Sequence, residues 1–124
     1  MRIFITLLLT LFSGFSLGQL DVKHYIPAFY ARENVQQHYL ILSTPSANPV
    51  NVTVRRGNGV LITNAIITNV TPLTYVLGNG YGAIGILNDA ELNTPNSADG
   101  IIIEASSPIY ANIRHRQGAQ GLSL

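Results

Sequence analysis

Residues 50–56 read Val-Asn-Val-Thr-Val-Arg-Arg, and this stretch decides the fold class. Val50, Val52 and Val54 alternate with Asn51, Thr53 and Arg55, so apolar and polar side chains recur with a period of two. That is the period of a strand with one face buried and the other in water. Gly57-Asn58-Gly59 follows at once, and glycine and asparagine tolerate the positive φ of a tight hairpin turn. A returning strand over Val60 to Thr68 is therefore expected, with a bulge or kink near Thr63-Asn64.

The same signals recur outward from this hairpin. His38 to Ser43 (HYLILS) carries apolar side chains on both faces, which predicts a central, doubly covered strand ending at Thr44-Pro45. Thr71-Pro72 breaks the pattern, Leu73 to Leu77 is a further short strand, and Ala83 to Leu87 a brief one. Between them Gly78 to Gly82 is a glycine-rich loop with Tyr81 at its middle. Asn88 to Asp99 is polar, contains Pro95, and reads as a surface loop. Gly100 to Ala105 and Ile109 to Arg114 read as two strands joined by a tight turn at Ser106-Ser107-Pro108. Gly121 to Leu124 resembles the start of a strand that has no partner. With no amphipathic helix evident, these elements predict an all-β domain, an antiparallel β-sandwich incomplete at its C-terminal end.

The first residues read differently. Met1 and Arg2 begin the chain, Ile3 to Phe12 is almost wholly apolar, and Ser16-Leu17-Gly18 places small residues at a cleavage site. This predicts a helical signal peptide over residues 1–18, followed by a β-rich extracellular domain over 19–124. The apolar run is about ten residues, against the ~20 that span a bilayer. A membrane anchor or a buried core helix is the alternative reading, and no later stretch is long or apolar enough to span a membrane. The 124 residues suit one domain, expected to be the front portion of a longer polypeptide.

Composition excludes several functions. Without Arg2 the chain carries six basic and six acidic residues, too few net positive charges for a nucleic-acid surface. There is no cysteine, which removes disulfides, thiolate zinc sites, cysteine nucleophiles and a lipoprotein anchor. In an exported domain this small, that absence points to a bacterial source. His24, His38 and His115 lie far apart in sequence without metal-ligand spacing, and read as solvent-facing or strand-capping. No cofactor or metal site is expected.

Asp89, Glu91, Asp99 and Glu104 are the carboxylates from which a glycosidase pair would be drawn, but their pattern is that of solvated loop residues and an exposed strand position. Asn51-Val52-Thr53 and Asn69-Val70-Thr71 match the glycosylation triplet, a chance occurrence in a strand-rich chain. Tyr25 and Tyr30, clustered with Phe29 around Pro27, and Tyr81 on its loop are the candidate binding residues, since exposed rings stack on sugar or protein. Their ordinary alternative is packing, the first group as an edge strand and Tyr81 at the sandwich end. Arg114-His115-Arg116 reads as the solvated end of a strand rather than an anion site.

Lys23-His24-Tyr25-Ile26-Pro27, then Tyr39 to Pro45 (YLILSTP), then Gly100 to Ala105 with Ile109-Tyr110, occur in that order. Together they resemble the N-terminal region of large flavobacterial cell-surface proteins associated with gliding motility and type IX secretion. That region is similar to the N-terminal domain of IgG Fc-binding protein. The resemblance covers roughly Asp21 to Leu124 and its motifs are structural. It implies an extracellular module with adhesion or surface assembly as its role, a polysaccharide or extracellular protein as partner, and no residue of assigned function. An accessory domain or fragment of a secreted hydrolase, or a structural spacer, are the competing expectations.

Overall fold

A computed structural model describes residues 20–30, 35–117 and 120–123, with the side chains of residues 35, 36, 81, 116, 117 and 120–123 left out. The expected leader, residues 1–18, lies outside the described residues. Among the described residues nine strands form: β1 (Asp21–Ile26), β2 (Phe29–Tyr30), β3 (Val35–Ser43), β4 (Val50–Arg56), β5 (Leu61–Ile67), β6 (Leu73–Gly78), β7 (Ile86–Leu87), β8 (Ile101–Gln117) and β9 (Gln120–Ser123). The helical content among the described residues is two single 3-10 turns, Gly80–Gly82 and Asp89–Glu91. The all-β class holds.

The organising element is β8. Residues 101–105 pair antiparallel with β4 on one edge and β1 on the other. Residues 110–117 pair with β3, and residues 114–117 also pair with β9. One strand thus belongs to two halves, β5-β4-β8-β1 and β6-β3-β8-β9, and the whole forms a curled antiparallel sheet. Valines of β4 (Val50, Val52, Val54), isoleucines of β8 (Ile101, Ile103, Ile109, Ile113) and Leu40, Leu42, Ile67 and Leu77 meet in one core. A short parallel pair, β2 with β7, is not hydrogen-bonded into this sheet but packs against its core through Phe29.

The expected hairpin at Ser106-Ser107-Pro108 does not form. These residues lie inside β8, and alternation continues across them: Ile101, Ile103, Ile109, Ile113 and His115 point inward, Glu104, Tyr110, Asn112 and Arg114 outward. The apparent break has a physical cause. Pairing to β4 ends at Ala105 and pairing to β3 begins at Tyr110, so Pro108 falls where no ladder bond needs its missing N–H. Side chains replace the ladder there. Ser106 Oγ accepts from the Asn51 N–H at 2.9 Å, and Thr44 Oγ1 donates to the Pro108 carbonyl at 3.1 Å. The strand turns a corner between two sheet halves, a manoeuvre familiar in packed β structures.

Two further expectations need correction. His38 to Ser43 is central in pairing, flanked by β8 and β6, but only one face is covered: Leu40 and Leu42 are buried, whereas Tyr39 and Ile41 are half-buried on the outer face. Residues 121–123 have a partner after all, since β9 pairs with β8 from Arg114↔Ser123 to Gln117↔Gln120. The hairpin of residues 50–67 forms as read, with Gly59 at φ 89° in the turn. Its irregularity falls one residue early: Val54 opposes Thr63 and Arg55 opposes Leu61, leaving Ile62 unopposed.

Gly57 ties this hairpin to the polar loop. Its N–H donates to the Gly100 carbonyl at 2.8 Å, and a β-carbon there would lie 1.7 Å from the Ser97 carbonyl oxygen. Backbone cannot rotate out of the way as a side chain can. Gly57→Ala is therefore expected to lose about 1–3 kcal/mol in a urea titration, the usual range for overpacking. Gly82→Ala, which meets open space, serves as the near-neutral control. Equal midpoints for the two variants would refute this account of the loop.

Candidate functional site

Tyr25 and Tyr30 do not converge. Tyr25 stands on β1, an edge strand as expected, but it does not pack away: 66% of it is exposed. The Lys23 amine lies 5.2 Å from its ring centroid, and Lys23 also pairs with Glu104 at 3.9 Å. Tyr25 first and Glu104 second raise the Lys23 pKa. Tyr25, Ile26 and Pro27 border two largely apolar clefts of about 340 and 270 Å³, one reaching Gly57 and Ser97, the other Ala111 and Ile113. Tyr30 is tethered instead, its hydroxyl donating to Asp89 Oδ1 at 2.6 Å. Tyr81 lies in the 3-10 turn Gly80–Gly82, and its side chain is outside the described residues.

The candidate carboxylates each have a local partner. Besides Asp89 with Tyr30 and Glu104 with Lys23, Glu91 Oε2 accepts from the Asn88 N–H at 2.9 Å, closing a capping box on the second 3-10 turn. Asp99 Oδ2 accepts from Asn96 Nδ2 at 2.7 Å, folding the end of the polar loop on itself. These bonds hold the surface loop and the outer strand face in shape.

Two of the three histidines overturn the sequence reading. His38 and His115 are directly opposed across β3 and β8, both pointing inward, with ring centroids 5.9 Å apart. Phe29 lies against both rings, at 5.1 Å from His38 and 5.2 Å from His115. His38 is 0% exposed, and neither of its ring nitrogens has a hydrogen-bond partner among the described residues; nor does His115 Nδ1. Burial, and then the neighbouring His115, push the His38 pKa down to about 4, with the Ile84 backbone opposing weakly. The His38 imidazole is held neutral at pH 7. Two imidazoles alone fall short of the three protein ligands of a catalytic zinc centre. Among the described residues, no group of three His, Asp or Glu side chains is placed to share an ion. His24 caps the corner, its Nε2–H shared between the carbonyls of Ile109 (2.9 Å) and Asp21 (3.0 Å).

The surface that stands out lies on the other side of the same strands. On the outer face of the second half, Tyr39 sits between Val76 and Arg114, and Ile41 between Thr74 and Asn112. Tyr110 opposes Ser43 and lies diagonally from Ile41. Val76 is 57% and Tyr110 42% exposed, and Thr74, Asn112 and Arg114 are exposed beside them. β3 is paired on both edges here, and β8 is paired with β3 throughout and with β9 from Arg114 onward, so the strands that carry these rings are fixed in register.

No family model, curated protein or solved structure matches this chain. The site therefore rests on its own geometry. Among the described residues no helix is long and apolar enough to cross a membrane.

This face was within reach of the sequence in part. Tyr110, Asn112 and Arg114 share one side of the alternation that places Ile109 and Ile113 on the other, and His115 follows the isoleucines inward by the same count. What periodicity could not supply is the neighbour across each strand. Only pairing brings Tyr39 beside Arg114, or His38 beside His115.

Proposed function

We propose that this chain is a non-catalytic binding module of an exported surface protein, with adhesion as its role. The observation that carries the reading is the outer face bearing Tyr39, Ile41, Val76 and Tyr110 on adjoining strands. Single exposed apolar side chains are ordinary, but a cluster that mixes tyrosines with arginine and asparagine has the composition of a recognition surface. Tyr39 and Ile41 stand on a strand paired on both edges, which holds them in place before any ligand arrives. Little ordering entropy is then lost on binding. The resemblance to N-terminal regions of gliding-associated surface proteins supports the same role and agrees with a leader for export.

The test is retention of the purified protein on arrayed polysaccharides and extracellular proteins. Saturable binding is expected, and a Tyr39→Ala/Tyr110→Ala double variant with an unchanged melt should lose it. A folded wild-type protein that binds nothing on the array would replace this reading with that of a spacer.

A further inference from the structure

We infer that the outer face of the β6-β3-β8-β9 half recognises an acidic polysaccharide, one whose sugars carry carboxylates. The inference rests on the binding-module reading and names the ligand class for that face. Charge is the first ground. β3, β6, β9 and residues 109–117 of β8 contain Arg114 and Arg116 and no aspartate or glutamate. The opposite half is built otherwise, since there Lys23 and Glu104 neutralise each other on the outer face. Arg114 is exposed, and its register neighbours are Tyr39 and Ser123, so no carboxylate stands across from it on either adjoining strand. A guanidinium in that position is complementary to a ligand's carboxylate, which it can bind through two parallel hydrogen bonds.

Shape is the second ground. Tyr110 pairs opposite Ser43, four residues along β3 from Tyr39, so their backbone positions lie about 13 Å apart along the strands at the usual rise. An extended polymer suits that spacing better than a single small sugar. The clefts beside Tyr25 are lined by other residues. Tyrosine rings offer flat apolar area to the C–H faces of sugars, while Asn112 and Thr74 offer donors and acceptors to hydroxyls. Arg114 between these groups selects for negative charge. A nucleic acid needs many phosphate contacts, and two arginines on this half are too few.

The probe is sodium alginate, a polyuronate, measured against neutral dextran and a single-stranded oligothymidylate by titration calorimetry at low and high salt. Alginate should bind, weaken with salt, and exceed both comparison polymers. Arg114→Ala should reduce alginate affinity about 10-fold or more, the worth of a charge-assisted contact. Tyr39→Ala should reduce it about 3- to 10-fold, and Tyr39→Phe should keep most of it. Arg55→Ala, on the other half, should change nothing. All variants are compared only at matched melting temperatures, and Arg114→Gln, which removes the charge and keeps most of the side-chain length, stands in where Arg114→Ala fails to fold.

Dextran binding as tight as alginate would overturn the acidic ligand class while leaving the binding module intact. Alginate binding untouched by Arg114→Ala and Tyr39→Ala would overturn the assignment to this face. Preferred binding of the oligothymidylate, or a Tyr39-dependent dimer that ignores alginate, would also overturn the inference. Failure to bind any polysaccharide or protein would remove the underlying reading as well.

Discussion

Lowering the pH from 7 to 4 is expected to destabilise this domain through His38, and replacing that residue should remove the effect. The folded protein holds the His38 imidazole at a pKa of about 4, against 6.5 when it is exposed in the unfolded chain. Between these values the unfolded state binds the proton more tightly, so stability rises with pH across the window. The contribution is fully present above pH 6.5, is lost as the pH falls toward 4, and levels off below. Its size follows from the shift, on the order of 2–3 kcal/mol. His38→Leu fills the site with an apolar side chain and leaves no nitrogen buried without a partner. At pH 7 that variant should be as stable as the wild type or more so, because removing an unsatisfied buried polar group is neutral or favourable. Between pH 6.5 and 4 its urea midpoint should move much less. Parallel stability curves for the two proteins would show that the buried pair does not govern acid sensitivity.

A larger loss should follow from Ile103→Ala. Ile103 is fully buried at the middle of the first half, with Val54 across one edge of β8 and His24 across the other. Truncation removes apolar contacts from a residue whose neighbours are held in register on both sides, so the core cannot close over the gap. Losses for such changes run about 2–5 kcal/mol, with the upper part of the range where collapse is hindered. Against a total of roughly 5–15 kcal/mol for a domain, this is a large fraction. Ile102→Ala, one residue away on the outer face, is the control and should cost about 1 kcal/mol or less. A difference of under 1 kcal/mol between the two variants would contradict the placement of the core on the odd-numbered side of β8.

Acid sensitivity and the binding face use the same two strands from opposite sides. His38 and His115 point inward exactly one residue from Tyr39 and Arg114, which point outward. Protonating His38 would put charge under the platform that carries the proposed ligand contacts. The alginate titrations are therefore best made at neutral pH, where the platform is at its most stable.

The sequence by itself determined the local facts. Alternation at Val50–Val54 and Ile109–Ile113 set which side chains turn inward, and Gly57-Asn58-Gly59 located a hairpin, because side-chain period and turn conformation depend on neighbours along the chain. Two local signals misled. Ser106-Ser107-Pro108 has the composition of a turn, yet it sits where β8 changes partners and a missing N–H does no harm. The apolar odd positions of β3 suggested a second covering layer, but they belong to an outer surface. Tertiary structure alone decided that β8 joins both halves of the sheet, that two histidines distant in sequence share one buried site, and that Tyr39 and Arg114 adjoin on the outer face. Cross-strand register brings together residues more than seventy positions apart, and no pattern confined to one strand encodes its partner.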